Sequence, residues 1–312
     1  MLDVVAIGEM LIDFTCDSYQ EDGYPTLDAH PGGGVLNYLA PLAKYGKFTS
    51  IIAKVGMDSF GKMLIDTARD CGINTSSVSI TNSAFTTLAF VIRDKNGERE
   101  FSFSRKPGAD TLLTPEDVDF SIIDNSKVLH FSSVCMTNNP SRSTHKKVVE
   151  YAKIKGKIIS YDPNYREPLW NSKKVAKREI LWGITHADIV KISDNEIDFL
   201  FGTGPENGAK ILIEKYGVKV VFVTLGIMGC YFATKTSSGH IPLTIDVAPI
   251  DTTGAGDIFG GTAMYCILQL NKELEDLTKE DMTRIVKFSC ETASLSTEKL
   301  GGVSSVPELR KF

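Results

Sequence analysis

Short apolar runs rich in β-branched residues alternate with longer amphipathic segments along nearly all of this 312-residue chain. Such alternation is typical of βαβ units built around a mostly parallel sheet. It predicts strands at 3–12, 49–55, 128–131, 157–161, 188–192 and 218–224. It predicts helices at 34–45, 59–70, 141–155, 173–185, 206–216, 256–270 and 279–297. The expected fold class is α/β, with a mostly parallel central sheet flanked by helices.

Two stretches depart from this alternation. Residues at about 14–30 are polar and poor in core-facing strand positions, whereas residues 84–105 alternate like a half-exposed hairpin with a turn at 94–97. An antiparallel ribbon inserted in a parallel α/β chain tends to lie outside the main sheet, so we interpret it as a small β-sheet lid. The sequence contains no repeat or linker. We therefore expect one domain over 1–312, with lid insertions at about 14–30 and 84–105.

The charge and composition exclude several functional classes. The net charge is −5 and the pI is about 5.6, and Lys and Arg form no cluster that a nucleic-acid-binding face would need. The six cysteines show no CxxC pair or metal-ligand spacing, which favours buried thiols in a reducing compartment. Neither a signal-peptide pattern nor an apolar run of about 20 residues is present. We expect a cytoplasmic protein without membrane contact.

The segment 251–257, with the sequence DTTGAGD, precedes an apolar helical pattern. Gly254 and Gly256 lack the Cβ atoms that would keep a backbone away from a ligand. A helix that begins here directs its N–H groups and positive dipole end at that ligand, and Asp257 in its first turn can reach a substrate hydroxyl. Phosphoryl transfer requires such donors beside a carboxylate. Gly-x-Gly-Asp by itself is equally compatible with a turn that ends in an N-cap aspartate.

The full segment resembles the second signature of the ribokinase-like (PfkB-type) carbohydrate kinases, and the resemblance extends in order over essentially the whole chain. It implies a ribokinase-like fold and transfer of the γ-phosphate of ATP to a sugar hydroxyl. In that family the last aspartate of the signature is the catalytic base and the preceding amides form an anion hole. These roles fall on Asp257 and on Gly254, Ala255 and Gly256.

The resemblance also implies a sugar site near the N-terminus. The run 8–13 looks like the first strand of the family, whose terminal aspartate, here Asp13, binds sugar hydroxyls. A carboxylate suits a diol because it accepts two hydrogen bonds at once. The run 32–43 resembles the first family signature, which implies sugar contacts at Gly33 and Asn37. Residues 34–36 are Gly-Val-Leu where the family usually has Ala-Pro-Ala.

Two further segments match nucleotide-binding elements of the family. Residues 191–196 stand where the family has an Asn-x-x-Glu element that organises Mg²⁺ and phosphate through water, although a capping box formed by Ser193 and Glu196 explains the same pair of residues. Residues 224–229 look like the nucleotide loop. The resemblance thus implies ATP contacts at Lys191, Glu196, Thr224, Gly226 and Gly229.

The resemblance implies a monovalent-cation site as well. In many members the first aspartate of the DTTGAGD segment and a closing loop near the C-terminus hold such an ion, with K⁺ as the candidate. The closing loop corresponds to residues 301–307. The matching positions are Asp251, Thr253, Gly301 and Ser305.

Two segments narrow the choice of sugar. Residues 161–170 and 105–113 resemble fructokinase stretches, and Arg105 and Arg166 within them supply forked donors for sugar oxygens or phosphates. Fructose is therefore the expected acceptor. Kinases of 2-keto-3-deoxygluconate carry similar segments, with arginines that meet a substrate carboxylate. This acid remains the alternative acceptor, together with the acceptors of other sugar or nucleoside kinases of the family.

Two other classes of protein fit the sequence less well. A catalytically inactive sugar sensor would have lost Asp257 or its glycines most readily, and both are present. An NAD-dependent dehydrogenase would need G-x-G-x-x-G directly after the first strand, and residues 8–10 are Gly-Glu-Met.

The family resemblance further implies a homodimer formed through the lid.

Overall fold

The computed structural model describes residues 1–93 and 99–312. The strands are β1 (Leu2–Ile7), β2 (Leu11–Tyr19), β3 (Pro25–Gly32), β4 (Thr49–Gly56), β5 (Val78–Thr81), β6 (Leu88–Arg93), β7 (Arg99–Ser104), β8 (Ser126–Ser132), β9 (Ile158–Asp162), β10 (Ile189–Ser193), β11 (Val220–Thr224), β12 (Cys230–Thr234) and β13 (Ser238–Ile241). The helices are α1 (Gly34–Lys44), α2 (Ser59–Asp70), α3 (Ser121–Asp124), α4 (Ser141–Ile154), α5 (Lys173–His186), α6 (Asp194–Phe201), α7 (Pro205–Tyr216), α8 (Ala255–Leu270) and α9 (Lys279–Ser296).

The main sheet has the strand order β13-β12-β11-β10-β9-β8-β1-β4-β5. Its strands pair in parallel from β11 to β5, and β12 and β13 add an antiparallel edge. The mostly parallel sheet is confirmed. Apart from 3–12, each predicted strand and helix agrees with an observed element to within two residues. The sequence analysis missed β5, α3, α6 and the antiparallel edge.

Strand β1 illustrates why an uninterrupted apolar run folds in the middle of this sheet. Val4 and Ala6 pack into one hydrophobic core, while Val5 and Ile7 pack into a second core on the opposite face. Successive strand residues point to opposite faces, so a strand covered by helices on both sides needs apolar residues at every position. Helices α1, α8 and α9 cover the first face, and α4, α5 and α7 cover the second.

A separate four-stranded sheet has the order β3-β2-β6-β7. Strands β6 and β7 confirm the predicted hairpin, whose proposed turn at 94–97 lies outside the described residues. The segment at about 14–30, which was expected to be a polar lid insertion, forms β2 and β3, and these strands pair along most of it within the small sheet. Small-sheet strands need only one apolar face, and Phe14 supplies it by stacking on Phe90 and packing edge-on against Phe60 of α2.

The prediction of one strand at 3–12 is also wrong, since the chain leaves the main sheet after Ile7 and enters the small sheet at Leu11. At this crossing the Gly34 amide donates a hydrogen bond to the Glu9 carboxylate (2.7 Å). The carboxyl ends of strands β1, β9, β10 and β11 lie along one edge of the parallel sheet. Ligands of such sheets bind at this edge. In the part of the chain that the structure describes, no helix combines the length and apolar character needed to span a bilayer.

Candidate active site

A cavity of about 710 Å³ lies at this edge and is walled by residues of both sheets. It brings together most of the residues that the sequence analysis selected, namely Asp13, Gly33, Asn37, Arg166, Lys191, Glu196, Thr224, Thr253, Gly254, Gly256 and Asp257. The remaining selected residues lie outside its lining: Arg105, Gly226, Gly229, Asp251, Ala255, Gly301 and Ser305.

Asp257 lies in the first turn of α8 and is held from two sides. The Asn37 side-chain amide donates to one carboxylate oxygen (3.1 Å) and the Asn164 side-chain amide donates to the other (3.2 Å). Burial raises the pKa of Asp257, and the Lys191 ammonium acts in the opposite direction. A buried carboxylate with a raised pKa and a fixed orientation is suited to accept a proton in the cavity.

Asn164 is a site residue that the sequence analysis did not select. It follows β9 in a left-handed conformation (φ 46°), and its backbone amide donates to the Asp162 carboxylate (3.1 Å). Asparagine tolerates this conformation better than most residues. The available signal was an Asn directly after Asp-Pro at the carboxyl end of a central strand, where side chains face the cavity.

Helix α8 starts at the cavity with Gly254 as its N-cap (φ 76°). The Ala255 amide donates to the Thr252 carbonyl (3.3 Å), and the helical ladder starts when the Ile258 amide donates to the Gly254 carbonyl (2.8 Å). The amides of the first helical turn have no partner within the helix, so they present an anion-binding end. A Cβ on Gly256 would lie 2.8 Å from the Lys191 ammonium, so only glycine allows this approach.

Lys191 extends from β10 to the start of α8. Its ammonium donates to the Asp162 carboxylate at 2.9 Å, and both side chains are largely buried. Burial raises the pKa of Asp162, while the Lys191 ammonium opposes this shift. Burial opposes the charge on Lys191, yet the carboxylates of Asp162, Glu196 and Asp257 raise its pKa above the usual value. Lys191 is therefore an ammonium ion.

Glu9 is a second cavity residue that the sequence analysis did not select. It is buried, and besides the Gly34 amide it accepts a hydrogen bond from the Ser132 hydroxyl (3.3 Å). Burial raises the pKa of Glu9. An acidic residue at the end of an otherwise apolar central strand was the available signal.

Asp13 lies on β2 in the wall formed by the small sheet. Burial raises its pKa to about 7, and the nearby Arg166 guanidinium acts in the opposite direction. Arg166 is exposed at the cavity rim and donates to the Tyr165 carbonyl (3.3 Å). These two residues thus form a carboxylate and a guanidinium facing the same space.

Arg105 lies away from the cavity, inside the protein. Its Nε donates to the Asp110 carboxylate (2.8 Å), and the same guanidinium donates to the Thr137 hydroxyl and the Val134 carbonyl (both 3.0 Å). Burial opposes ionisation of Asp110, but the Arg105 guanidinium lowers the pKa of Asp110 below its usual value. The guanidinium is therefore committed to protein partners.

Glu196 belongs to the capping box of α6 and also lines the cavity. The Ser193 hydroxyl and amide both donate to it at 2.8 Å, so the capping box of α6 is present. Its other carboxylate oxygen accepts from the Tyr165 amide (2.6 Å), and the residue lines the cavity. Glu196 thereby holds the loop after β9 against the start of α6.

Thr224 ends β11 at the cavity and is followed by a tight turn. The Gly229 amide donates to the Gly226 carbonyl (3.1 Å), and both glycines have positive φ (91° and 56°). A Cβ on Gly229 would overlap the carbonyl oxygen of Ile241, so this position requires glycine for space as well as conformation. The turn fixes the end of β11 beside the cavity.

Asp251 joins the loop before α8 to the loop after α9. One of its carboxylate oxygens accepts from the Thr253 amide (2.9 Å) and the other accepts from the Gly301 amide (3.1 Å). Ser305 belongs to the same closing loop, and its hydroxyl donates to the Gly302 carbonyl (2.8 Å). The residues selected for a monovalent cation thus lie in two loops that the Asp251 carboxylate connects.

Comparison with known proteins gives consistent matches over the whole chain. The model of the pfkB family carbohydrate kinases matches residues 1–309. Over 307 residues the chain is 36% identical to a probable fructokinase-3 of Arabidopsis thaliana, covering 97% of this chain and 88% of that protein. It is also 36% identical over 307 residues to fructokinase-2 of Solanum lycopersicum, covering 97% and 93%.

Solved structures give the same result. The fructokinase of Xylella fastidiosa with bound ATP superposes with a TM-score of 0.90 at 26% identity, covering 98% of this chain and 96% of that chain. The fructokinase of Vibrio cholerae O395 in its fructose-, ADP- and calcium-bound form gives 0.87 at 29% identity, with the same coverage. These matches confirm the ribokinase-like fold, and the chain belongs to the pfkB family of carbohydrate kinases.

Proposed function

We propose that this carbohydrate kinase is a fructokinase that transfers the γ-phosphate of ATP to a hydroxyl of fructose, with Asp257 as the general base. The observation that carries the proposal is the position of Asp257. Its carboxylate is held between the Asn37 and Asn164 amides at the start of α8, inside the cavity. A proton acceptor thus lies beside an anion-binding helix end, as phosphoryl transfer requires.

In the proposed reaction a sugar hydroxyl oxygen forms a bond to the γ-phosphorus. The bond from that phosphorus to the oxygen bridging the β- and γ-phosphates breaks, and its electron pair stays on the β-phosphate of ADP. The hydroxyl proton passes to a carboxylate oxygen of Asp257. The amides at the start of α8, with Gly254 and Gly256, bind the charge on the transferred group.

The sugar is proposed to bind on the side of the small sheet. Asp13 and Asn37 line this part of the cavity, and a carboxylate at Asp13 accepts two hydroxyl hydrogen bonds. Gly33 also lines this part of the cavity, and the position requires glycine because a Cβ there would overlap the Glu9 carbonyl oxygen and the residue has a φ of 115°. The small sheet is then the lid that excludes water from the reacting groups.

The nucleotide is proposed to bind at the ends of β10 and β11, near Lys191, Glu196 and Thr224, with the turn at Gly226 and Gly229 shaping the site. Mg²⁺ fits this arrangement because it is usually held by one or two carboxylates together with substrate phosphates and water. Among the described residues, no cluster of three or more His, Cys, Asp or Glu could hold a metal ion. Glu196 would therefore hold Mg²⁺ in part through water, and the ion would supply charge neutralisation on the phosphates.

K⁺ is proposed to bind between the loops that Asp251 joins through Thr253 and Gly301, with Ser305 in the same closing loop as Gly301. The carboxylate of Asp251 and nearby backbone carbonyls offer oxygen ligands. The Vibrio cholerae fructokinase, in a double-mutant form that superposes with a TM-score of 0.86 at 28% identity, has been solved with fructose, ADP and potassium bound. This relative supports the proposal for the cation as well as for the sugar.

The alternative acceptor, 2-keto-3-deoxygluconate, is less well supported by the geometry. An acidic sugar needs a cation that is available for its carboxylate. Arg105 is committed to Asp110, which leaves Arg166 at the rim as the only one of the two selected arginines that lines the cavity. The inactive-sensor alternative is opposed by the intact hydrogen bonds to Asp257.

The test is the kcat/KM of one enzyme preparation for fructose and for 2-keto-3-deoxygluconate, with ATP and Mg²⁺. We expect fructose to be preferred. A preference for the acid of tenfold or more, equivalent to about 1.4 kcal/mol of transition-state binding, would contradict the fructokinase assignment and leave the carbohydrate kinase assignment intact.

We also propose that the chain forms a homodimer through the small sheet. Tyr19 and Tyr24 at the end of the β2–β3 hairpin are 58% and 68% exposed, which offers apolar contact area to a second copy. A light-scattering mass of two chains for the wild type, and of one chain for the Tyr19→Ser/Tyr24→Ser variant, is the expected result. A wild-type mass of one chain at assay concentrations would contradict it.

A further inference from the structure

A small polar network lies in the core between the main sheet and α1, outside the lining of the cavity. Tyr38 of α1, His130 of β8 and Ser160 of β9 are each at most 4% exposed. The Ser160 hydroxyl is hydrogen-bonded to the Tyr38 hydroxyl (3.1 Å) and to Nδ1 of His130 (3.0 Å), and the rings of Tyr38 and His130 stack with their centroids 3.4 Å apart. Burial, with the Lys191 ammonium nearby, lowers the pKa of His130 to about 3, so its imidazole is neutral near physiological pH.

The network joins the two elements that hold Asp257. Tyr38 directly follows Asn37 on α1, and Ser160 lies on β9, four residues before Asn164. The side-chain amides of Asn37 and Asn164 donate to the two oxygens of the Asp257 carboxylate. The separation of these amides depends on how α1 is placed against β9. Among the described residues, the Tyr38–Ser160 hydrogen bond is the only side-chain hydrogen bond between those two elements.

Helix α1 lacks two of the usual supports for its first turn, which carries Asn37. Its N-cap is Gly33, which offers no side-chain hydrogen bond, and Pro41 lies inside the helix. Because proline has no N–H, the Asn37 carbonyl has no helical donor four residues later. Contacts outside the helix must therefore hold this turn, and the Tyr38–Ser160 hydrogen bond is one of them.

Helix α8 packs directly on the same tyrosine. Gly260 and Gly261 follow Asp257 by three and four residues, so they lie on the face of α8 that carries Asp257. A Cβ on Gly260 would lie 3.2 Å from the Tyr38 ring, and one on Gly261 would overlap the Tyr38 carbonyl oxygen. Tyr38 thus limits how closely α1 and α8 approach each other, where Asn37 meets Asp257 at 3.1 Å.

We propose that Tyr38 and Ser160 are positioning residues for the general base, which act through Asn37 and Asn164. Their hydrogen bond fixes α1 on β9, so that both amides meet the Asp257 carboxylate together. A small misplacement of a reacting group lowers the rate of an enzyme even when its origin lies away from the chemistry. This inference rests on the proposed kinase reaction and adds to it two residues that do not line the cavity.

The alternative is that the network contributes to stability alone. A purely structural hydrogen bond lowers the free energy of unfolding when it is removed, and leaves the kcat of the folded enzyme unchanged. Tyr38→Phe removes only the Tyr38–Ser160 hydrogen bond, because the ring that stacks on His130 and the Ser160–His130 hydrogen bond both remain. Ser160→Ala removes the same hydrogen bond from the other side.

The experiment measures kcat for Tyr38→Phe, Ser160→Ala and the double variant, with whichever sugar the wild type phosphorylates best. We expect kcat to fall about tenfold in Tyr38→Phe, as for other small misplacements in active sites. The double variant should match Ser160→Ala, because substitutions that remove the same contact are not additive. The control is Tyr265→Phe, which removes a buried hydroxyl that accepts from Gln269 within α8 (2.8 Å) and should keep the wild-type kcat.

A pKa measurement completes the test without requiring turnover. Burial raises the pKa of Asp257, whereas the Lys191 ammonium and the Asn37 amide lower it. Weaker donation from Asn37 should therefore raise this pKa further in Tyr38→Phe, and Tyr265→Phe should leave it unchanged. Carbon NMR of isotope-labelled aspartate, assigned with Asp257→Asn, measures the pKa. The other charged groups that face Asp257 are the same in these enzymes, namely Glu9, Asp13, Asp162, Arg166 and Lys191.

The inference is wrong if Tyr38→Phe keeps the wild-type pKa of Asp257, or if it lowers kcat no more than Tyr265→Phe does. It is also wrong if the effects of Tyr38→Phe and Ser160→Ala on kcat multiply in the double variant, since that would show two independent roles. Absence of sugar phosphorylation by the wild type would instead contradict the proposed function, and the pKa measurement would still decide the role of the Tyr38–Ser160 hydrogen bond.

Discussion

The guanidinium of Arg105 and the carboxylate of Asp110 form an ion pair inside the protein at the base of the small sheet. Arg105 directly follows β7, and Asp110 also accepts a hydrogen bond from the hydroxyl of Thr87, which directly precedes β6. The pair thus connects both strands of the hairpin to the same buried carboxylate. Contacts from Arg105 to Thr137 and Val134 join this base to the loop after β8.

We expect Arg105→Met to destabilise the protein by about 3–5 kcal/mol, because it leaves the Asp110 carboxylate buried without its cation. Urea unfolding followed by circular dichroism measures the change. The matched control is Arg69→Met, which removes an exposed pair with Asp66 and should cost less than about 1 kcal/mol. Equal effects of the two substitutions would contradict the structural role given to the buried pair.

Hydrogen exchange tests whether the small sheet acts as a lid. Asp13 on β2 and Phe103 on β7 line the cavity, so sugar binding should hold these strands and slow exchange of their amides. Mass spectrometry with and without saturating sugar measures the effect, with β13 as the internal control. Unchanged exchange in β2 and β7 at saturating sugar would restrict the small sheet to a structural or dimerisation role.

The pKa of Asp13 gives a pH prediction for sugar binding. Burial raises it to about 7, so Asp13 is mostly protonated at pH 6 and mostly ionised at pH 8. Only the ionised form accepts hydrogen bonds with both oxygens without donating one. The sugar KM at saturating ATP should therefore fall about tenfold from pH 6 to pH 8, the ratio expected for one group with a pKa near 7. In Asp13→Asn the KM should not depend on pH, and a wild-type KM that is constant or rises with pH would contradict this role.

A pair of glycine substitutions tests the contact between α8 and Lys191. In Gly256→Ala the new methyl group meets the Lys191 ammonium at 2.8 Å and displaces it. We expect kcat to fall about 10- to 100-fold, as for other small misplacements in active sites, with no loss of stability because alanine favours helix over glycine. Gly204→Ala at the start of α7 is the control, since a Cβ there meets nothing within 4 Å. Wild-type kcat in Gly256→Ala would show that the contact is dispensable.

The sequence predicted the main sheet and its helices because their hydrophobic periods are unambiguous. It did not predict the crossing between β1 and β2, since Gly8 and Glu9 interrupt the apolar pattern of 3–12 only briefly and Met10, Leu11 and Ile12 resume it at once. The chain changes sheets because Glu9 turns inward to the Gly34 amide, a contact across 25 residues of sequence that local periodicity does not encode.

The sequence predicted the site residues that belong to a family motif. It was less successful for residues whose surroundings depend on tertiary contacts. The DTTGAGD segment led directly to Asp257, Gly254 and Gly256. Asn164 was missed because Asp-Pro-Asn is also an ordinary turn sequence, and only the fold brings it to Asp257. Arg105 was selected as a sugar ligand, yet its partner Asp110 is five residues away in sequence and nothing in the sequence indicated that the pair would be buried.

The most direct test of the account is phosphoryl transfer by Asp257→Asn. Asparagine keeps the size of the side chain but cannot accept the hydroxyl proton, and loss of a general base usually costs about 10²- to 10⁴-fold in rate. A single-turnover measurement of sugar phosphate formation, with ADP affinity measured on the same preparation, separates chemistry from binding. We predict a loss of rate in this range with ADP affinity within about threefold of wild type. A rate within threefold of wild type would contradict the assignment of Asp257 as the general base.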